Sequence, residues 1–194
     1  MTIPTEQMND IMIDLETLST RHDAAILSIG LCLFDITTGK IGQCFHEKII
    51  LEDSPLFGHI STSTIEWWLK QPKSAQDNLL DGNKIYLALA LNRLSAWIRN
   101  SHTVWSNGSS FDLVILRNAF ARNQLNQPWK YYQERDTRTI VDIAERITGI
   151  NAAKSIEFDG IKHDALADAI HQAKYVSNAF AVLNGFNQKI LGDA

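Results

Sequence analysis

Cysteine is scarce in this sequence: Cys32 and Cys44 are the two among 194 residues. Both lie in apolar, strand-like segments joined by a short turn. They read as buried, reduced thiols, with a cross-strand disulfide as the alternative. Without histidines at ligand spacing, the pair makes no zinc site. Long apolar runs are missing too. No stretch reaches the ~18 residues that a transmembrane helix needs, so no membrane span is expected. The opening MTIPTEQMND is polar and holds no apolar signal core. This points away from secretion and toward a cytoplasmic location. No internal repeat, low-complexity run or Pro/Gly/Ser-rich linker breaks the chain. Residues 1–194 therefore read as one domain, long enough for a sizeable core.

An overall positive charge is also lacking; the formal net charge is −4. Its distribution says more than its sum. Residues 1–83 carry 5 basic and 12 acidic side chains, residues 84–138 carry 8 and 3, and residues 139–194 carry 5 and 7. The middle third can supply a phosphate-facing surface, or simply solvated charges.

What is present is a regular pattern of elements. Residues 10–16 alternate as a strand, with Ile11, Ile13 and Leu15 on one face and Met12, Asp14 and Glu16 on the other. Residues 24–36 form a longer apolar run. Thr37-Thr38-Gly39-Lys40 reads as a turn, and residues 41–51 return as a strand, completing a three-strand meander. Ser63 and Glu66 fit a capping box for a short helix that carries Trp67 and Trp68 and stops before Pro72. Residues 84–99 are predicted helical, with Leu87, Leu91, Leu94 and Ile98 as the apolar stripe. A strand over 102–106, a turn, and helices over 111–123 and 137–147 follow. Gly149 ends the last of these. Residues 150–162 read as loop, and Asp164 is a plausible cap for a final helix to about residue 184. Strands first, then alternating helix and strand, suit an α/β fold with a mixed sheet flanked by helices.

Three short segments carry chemistry. Asp14 and Glu16 share a strand face, with Cα atoms about 6.6 Å apart. Paired carboxylates repel unless something positive lies between them, and a divalent cation with hard oxygen ligands serves. An edge strand with one solvated face is the plainer reading. Asp112 follows the turn Asn107-Gly108-Ser109-Ser110 and falls in the first turn of a helix. It is either a carboxylate favoured by the helix dipole or a third ligand at a strand end. His163 and Asp168 are five apart, about 140° on a continuous helix. If the helix begins near Asp164, His163 lies in the loop before it and can swing over the site, where a neutral histidine suits the role of proton acceptor. Asp136 or Thr137 caps the next helix, or Arg135 and Arg138 contact a substrate or partner; both readings stand.

Together the segments Asp-x-Glu, Asn-x-x-x-Phe-Asp and His-x-Ala-x-x-Asp, in that order, resemble the three motifs of the DEDD exonuclease superfamily. The histidine places the resemblance with the DEDDh group, whose domain is ribonuclease H-like, over roughly residues 10–184. Trp67-Trp68, the Trp105–Gly108 segment and Arg135-Asp136-Thr137-Arg138-Thr139 are similar to a branch with phage oligonucleotide exonucleases and a bacterial exoribonuclease.

The resemblance implies a 3′→5′ exonuclease that hydrolyses single-stranded DNA or RNA, or 3′ overhangs, to nucleoside 5′-monophosphates. It implies two divalent cations, Mg²⁺ or Mn²⁺, about 3.5–4 Å apart. Asp14, Glu16, Asp112 and Asp168 would be their ligands, with Asp14 bridging, and His163 the general base. Thr17, Asn107, Phe111, Arg135 and Arg138 are the expected substrate contacts. Arg117, Arg122, Lys130, Arg135 and Arg138 form a candidate basic approach. The proofreading exonucleases often carry histidine where Ser106 stands, so that contact is not carried over.

Rival readings are a nucleic-acid-binding module without catalysis, a metal-dependent endonuclease or small phosphodiesterase, and a polymerase-bound proofreading subunit. The first usually lacks a carboxylate, and here all four are present with the histidine. The predicted helices over 84–99 and 165–184 are amphipathic enough to pack internally or across a homodimer.

Overall fold

Alternation in the first strand decides which face of the sheet holds the acids. The structure, a computed structural model, describes residues 8–50 and 58–192, with side chains to residue 186. Strand β1 (Asp10–Thr17) sends Ile11, Ile13 and Leu15 into the larger core. Met12 goes into a second core on the opposite face. Asp14 and Glu16 continue the Met12 face.

Strand β2 (Ile26–Phe34) is buried at every position, as a strand covered on both faces must be. It pairs antiparallel with β1 and with β3 (Ile41–Ile49). The turn between β2 and β3 is held by Asp35, whose carboxylate accepts from Thr37 and Thr38. Helices α1 (Thr62–Leu69) and α2 (Lys73–Leu80) follow. Then come β4 (Lys84–Ile85), α3 (Leu87–Trp97), β5 (Thr103–Ser106), α4 (Asp112–Arg122), β6 (Glu134–Asp136), α5 (Thr137–Thr148) and α6 (Ala165–Gly192). The sheet order is β4-β3-β2-β1-β5-β6, with β1, β5 and β6 parallel to one another. Helix α6 packs on β1 and β2.

The mixed, helix-flanked sheet is the architecture expected from the sequence, with several local corrections. Residues 84–99 are not one helix. Lys84 and Ile85 pair in parallel with Lys48 and Ile49, and that edge pairing overrides local helical propensity, so α3 starts at Leu87. The capping box is absent: α1 begins at Thr62, Ser63 lies inside it, and its hydroxyl meets that of Ser61 at 2.7 Å. Cys32 and Cys44 are cross-strand partners and both are free thiols, but Cys44 is exposed because β3 is covered on fewer sides than β2. The final helix continues to Gly192. The expected end of the third strand at Leu51, and residues 1–7 of the polar N-terminus, lie outside the described residues.

Other expectations stand. Gly149 ends α5 with φ 75°, the left-handed conformation that glycine adopts without a Cβ penalty. Asp164 caps α6 by accepting from the N–H of Ala167 at 2.9 Å. Of the expected α3 stripe, Leu87, Leu91 and Leu94 are buried, while Ile98 is buried just beyond the helix. In α6 the buried residues include Ala169, Ala173 and Val176, whereas Leu166, Ile170 and Phe180 are only partly buried.

Candidate active site

Asp14 sits directly across from Gly30 in the β1–β2 register. A Cβ on Gly30 would lie 2.1 Å from the carbonyl carbon of Ala165. Only glycine permits the first residue of α6 to rest on the sheet there. That contact brings the first turn of α6, and Asp168 with it, down beside β1.

The second carboxylate source is the turn after β5. Gly108, at φ 109°, accepts from the N–H groups of Phe111 and Asp112, which starts α4 without a side-chain cap. Asp136 ties this turn to α5. One of its oxygens accepts from the N–H of Ser109 and the other from that of Arg138, each at 2.8 Å. Asp136 is therefore the cap of α5. The buried Asp112 accepts from the N–H of Leu15 on β1.

The third source is the loop into α6. His163 has φ 64°, an uncommon conformation for a non-glycine residue. Its N–H donates to Oδ2 of Asp168 at 2.8 Å. Its ring stacks edge-on against Trp67, with centroids 4.8 Å apart, and against Trp68 at 6.0 Å. Trp68 is itself pinned to β1, where its Nε1 donates to the carbonyl of Thr17 at 3.0 Å. One ligand atom each from Glu16, His163 and Asp168 lie within 4.8 Å of one another.

These acids resist ionising together. Burial, then the charges of Asp112, Glu16 and Asp168, hold Asp14 well above the usual carboxylate range, while a hydrogen bond from Gln172 opposes them. Burial and then Asp168, Asp112 and Asp164 push Glu16 up to about 8. Burial raises Asp112 to about 7 against its backbone hydrogen bonds and Arg138, and raises Asp168 to about 6 against the N–H of His163. Burial and Lys162 lower His163, favouring its neutral form. Buried carboxylates of this kind are stabilised by a multivalent cation, and all-oxygen donors suit Mg²⁺ or Mn²⁺.

Two cavities flank the cluster. One of about 380 Å³ is lined by Leu15, Glu16, Thr17, Thr20, Trp67 and Phe111, among others. The other, about 450 Å³, is lined by Asn107, Thr137, Arg138, His171 and Tyr175, among others. Arg138 packs over Gly108 and donates through Nε to Oδ1 of Asn107 at 3.3 Å, an oxygen that Thr137 also reaches at 3.1 Å.

A family model, that of the Rv2179c-like 3′-5′ exoribonuclease domain, matches residues 9–180. The chain belongs to this family. It is a 3′-5′ exonuclease acting on nucleic acid, a phosphodiester hydrolase. It is 25% identical over 193 residues to the exodeoxyribonuclease of Enterobacteria phage T4, covering 83% of this chain and 84% of that protein. Among solved structures, cell-death related nuclease 4 (CRN-4) superposes with a TM-score of 0.65 at 11% identity, over 88% of this chain; the chain spans 63% of that one. The rAMP-bound nuclease domain of 3′hExo, a DEDDh family member, gives 0.57 at 14% identity over 88% and 90% of the two chains. S. pombe Pop2p, in its Mg²⁺- and Mn²⁺-bound form, gives 0.61 at 15% identity over 91% and 86%.

In this exonuclease all five candidate catalytic residues converge at one end of the sheet. Thr17 and Phe111 line the first cavity, and Asn107 and Arg138 the second. Arg135 lines neither; it is exposed, and its guanidinium donates to the carbonyls of Tyr132 and Glu134 at 2.8 Å. Arg117 pairs with Glu134 at 3.4 Å, and Arg122 is half-buried. Sequence reasoning missed Gln172, a glutamine with no motif around it. It also missed the roles of Trp67 and Trp68, noted only as a helix and a branch marker. Their adjacency beside a predicted site was the available signal.

Proposed function

We propose that this chain removes nucleoside 5′-monophosphates one at a time from the 3′ end of single-stranded RNA or DNA, or of a 3′ overhang. The observation that carries this reading is the convergence of Asp14, Glu16, Asp112 and Asp168 from three elements, with His163 beside them. The donor set suits two divalent cations, Mg²⁺ or Mn²⁺, which Asp14, Glu16, Asp112 and Asp168 would hold. Bound there, such cations supply positive charge for the phosphate oxygens and acidify an attacking water.

The protein's own groups do the rest. The neutral His163 ring, braced by Trp67 and Trp68, takes the proton of the water that attacks phosphorus. The bond to the 3′ oxygen of the penultimate nucleotide breaks, and a solvent proton neutralises that oxygen. The terminal nucleotide leaves with its 5′ phosphate. The cavity walled by Leu15, Trp67 and Phe111 offers apolar faces to an unpaired base, which stacking favours without regard to sequence. Thr17 meets the terminal nucleotide there. Asn107 and Arg138, beside Asp112, meet the phosphate backbone of the incoming strand.

Chromatography of the products tests this reading. Mononucleotides from the first time point support it, whereas internal fragments favour an endonuclease. Arg138→Ala is expected to weaken binding across sequences and reduce the salt slope by about 1; an unchanged slope removes Arg138 from the substrate path.

A further inference from the structure

Helix α6 directs two polar side chains at β1, one turn apart. Asp168 lies in its first turn and Gln172 four residues on, so they share a face. Ala169, Ala173 and Val176 on the buried side of the helix are all in the core, and the buried hydroxyls there, Ser177 and Tyr175, have hydrogen-bond partners. Gln172 is 5% exposed, yet its Nε2 reaches Oδ1 of Asp14 at 2.7 Å. Its Oε1 is buried with no hydrogen-bond partner among the described residues. An orphaned amide oxygen in such a place is unfavourable, and a methionine would fill the volume without it. The donor end must therefore supply something that packing does not.

We propose that Gln172 is a positioning residue for the acidic centre: its amide fixes Asp14 through Oδ1 and so leaves Oδ2 for a divalent cation. The proposal rests on the reading of Asp14 as a metal ligand. The chemistry explains why an amide serves. It donates two hydrogens and carries no charge. A lysine or arginine would compete with the cation, and a carboxylate would add to the repulsion among the acids. Partners that orient a metal-binding carboxylate typically change affinity or activity about 10–100-fold when removed.

The test uses the full chain with Gln172→Met, which keeps length and loses the donor, and Gln172→Asn, which keeps the amide and loses reach. Mn²⁺ binding is followed by calorimetry, and melting temperature is measured with and without Mn²⁺. Both variants are expected to bind Mn²⁺ about 10–100-fold more weakly and to lose much of the Mn²⁺-induced rise in melting temperature. Their metal-free melting should stay close to that of the parent. Raising Mn²⁺ should restore kcat with KM for an oligonucleotide unchanged. Parental Mn²⁺ affinity in both variants overturns the proposal, as does a loss confined to metal-free stability. Asp14→Asn is the separate control: if it also binds Mn²⁺ as the parent does, the ligand reading of Asp14 fails instead.

Discussion

The backbone N–H of His163 donates to Oδ2 of Asp168 at 2.8 Å. This bond explains the five-residue spacing of the pair. On a continuous helix they would be about 140° apart, but the cap at Asp164 ends the helix between them and the positive φ of His163 folds the loop back over the first turn. His163→Ala is expected to keep the fold by circular dichroism and to lower kcat by about 10²–10⁴-fold. The lower limb of the pH–rate profile should vanish. A profile with the parental lower limb would remove His163 from the proton transfer.

The raised acids make metal-free stability depend on pH with a definite sign. Glu16 ionises near 8 in the folded protein, Asp112 near 7 and Asp168 near 6, against about 4 when unfolded. Between these values the folded state holds more protons, so stability falls as pH rises from about 4 to 8. In EDTA the melting temperature should drop across that window. Glu16→Gln should flatten the drop and melt higher at pH 8.5 while abolishing hydrolysis. A parental slope in Glu16→Gln would contradict the assignment of its raised pKa.

Gly30→Ala probes the seat of α6. The new Cβ meets backbone atoms of Ala165 and Leu166 within 2.3 Å, and backbone cannot yield as a flexible side chain does. Overpacking of this kind costs about 1–3 kcal/mol or more, and the helix must lift. Lower stability together with weaker Mn²⁺ binding is expected, since Asp168 moves with α6. A variant that melts lower but binds Mn²⁺ normally would show that the seat supports the fold alone.

Much of this centre was legible in the sequence because its carboxylates sit where local pattern is strong. Alternation alone puts Asp14 and Glu16 on one face, and the turn at Asn107–Ser110 announces the helix that starts at Asp112. The cap at Asp164 was readable from residue type. What was not legible depends on tertiary contact. Gln172 reads as one polar residue on a helix, and nothing local says that it reaches Asp14. The two-residue strand at Lys84 exists only because β3 is there to pair with it. Arg135 and Arg138 look alike in sequence, yet one donates to the carbonyls of Tyr132 and Glu134 and the other packs over Gly108.

The most direct measurement follows 5′-labelled single-stranded RNA and DNA oligonucleotides on a sequencing gel, with Mg²⁺, Mn²⁺ or EDTA, for the parent and Asp14→Ala. The account predicts a ladder shortening by single nucleotides from the 3′ end, dependent on the divalent cation and absent in Asp14→Ala. Shortening that survives EDTA, or that persists undiminished in Asp14→Ala, would contradict it.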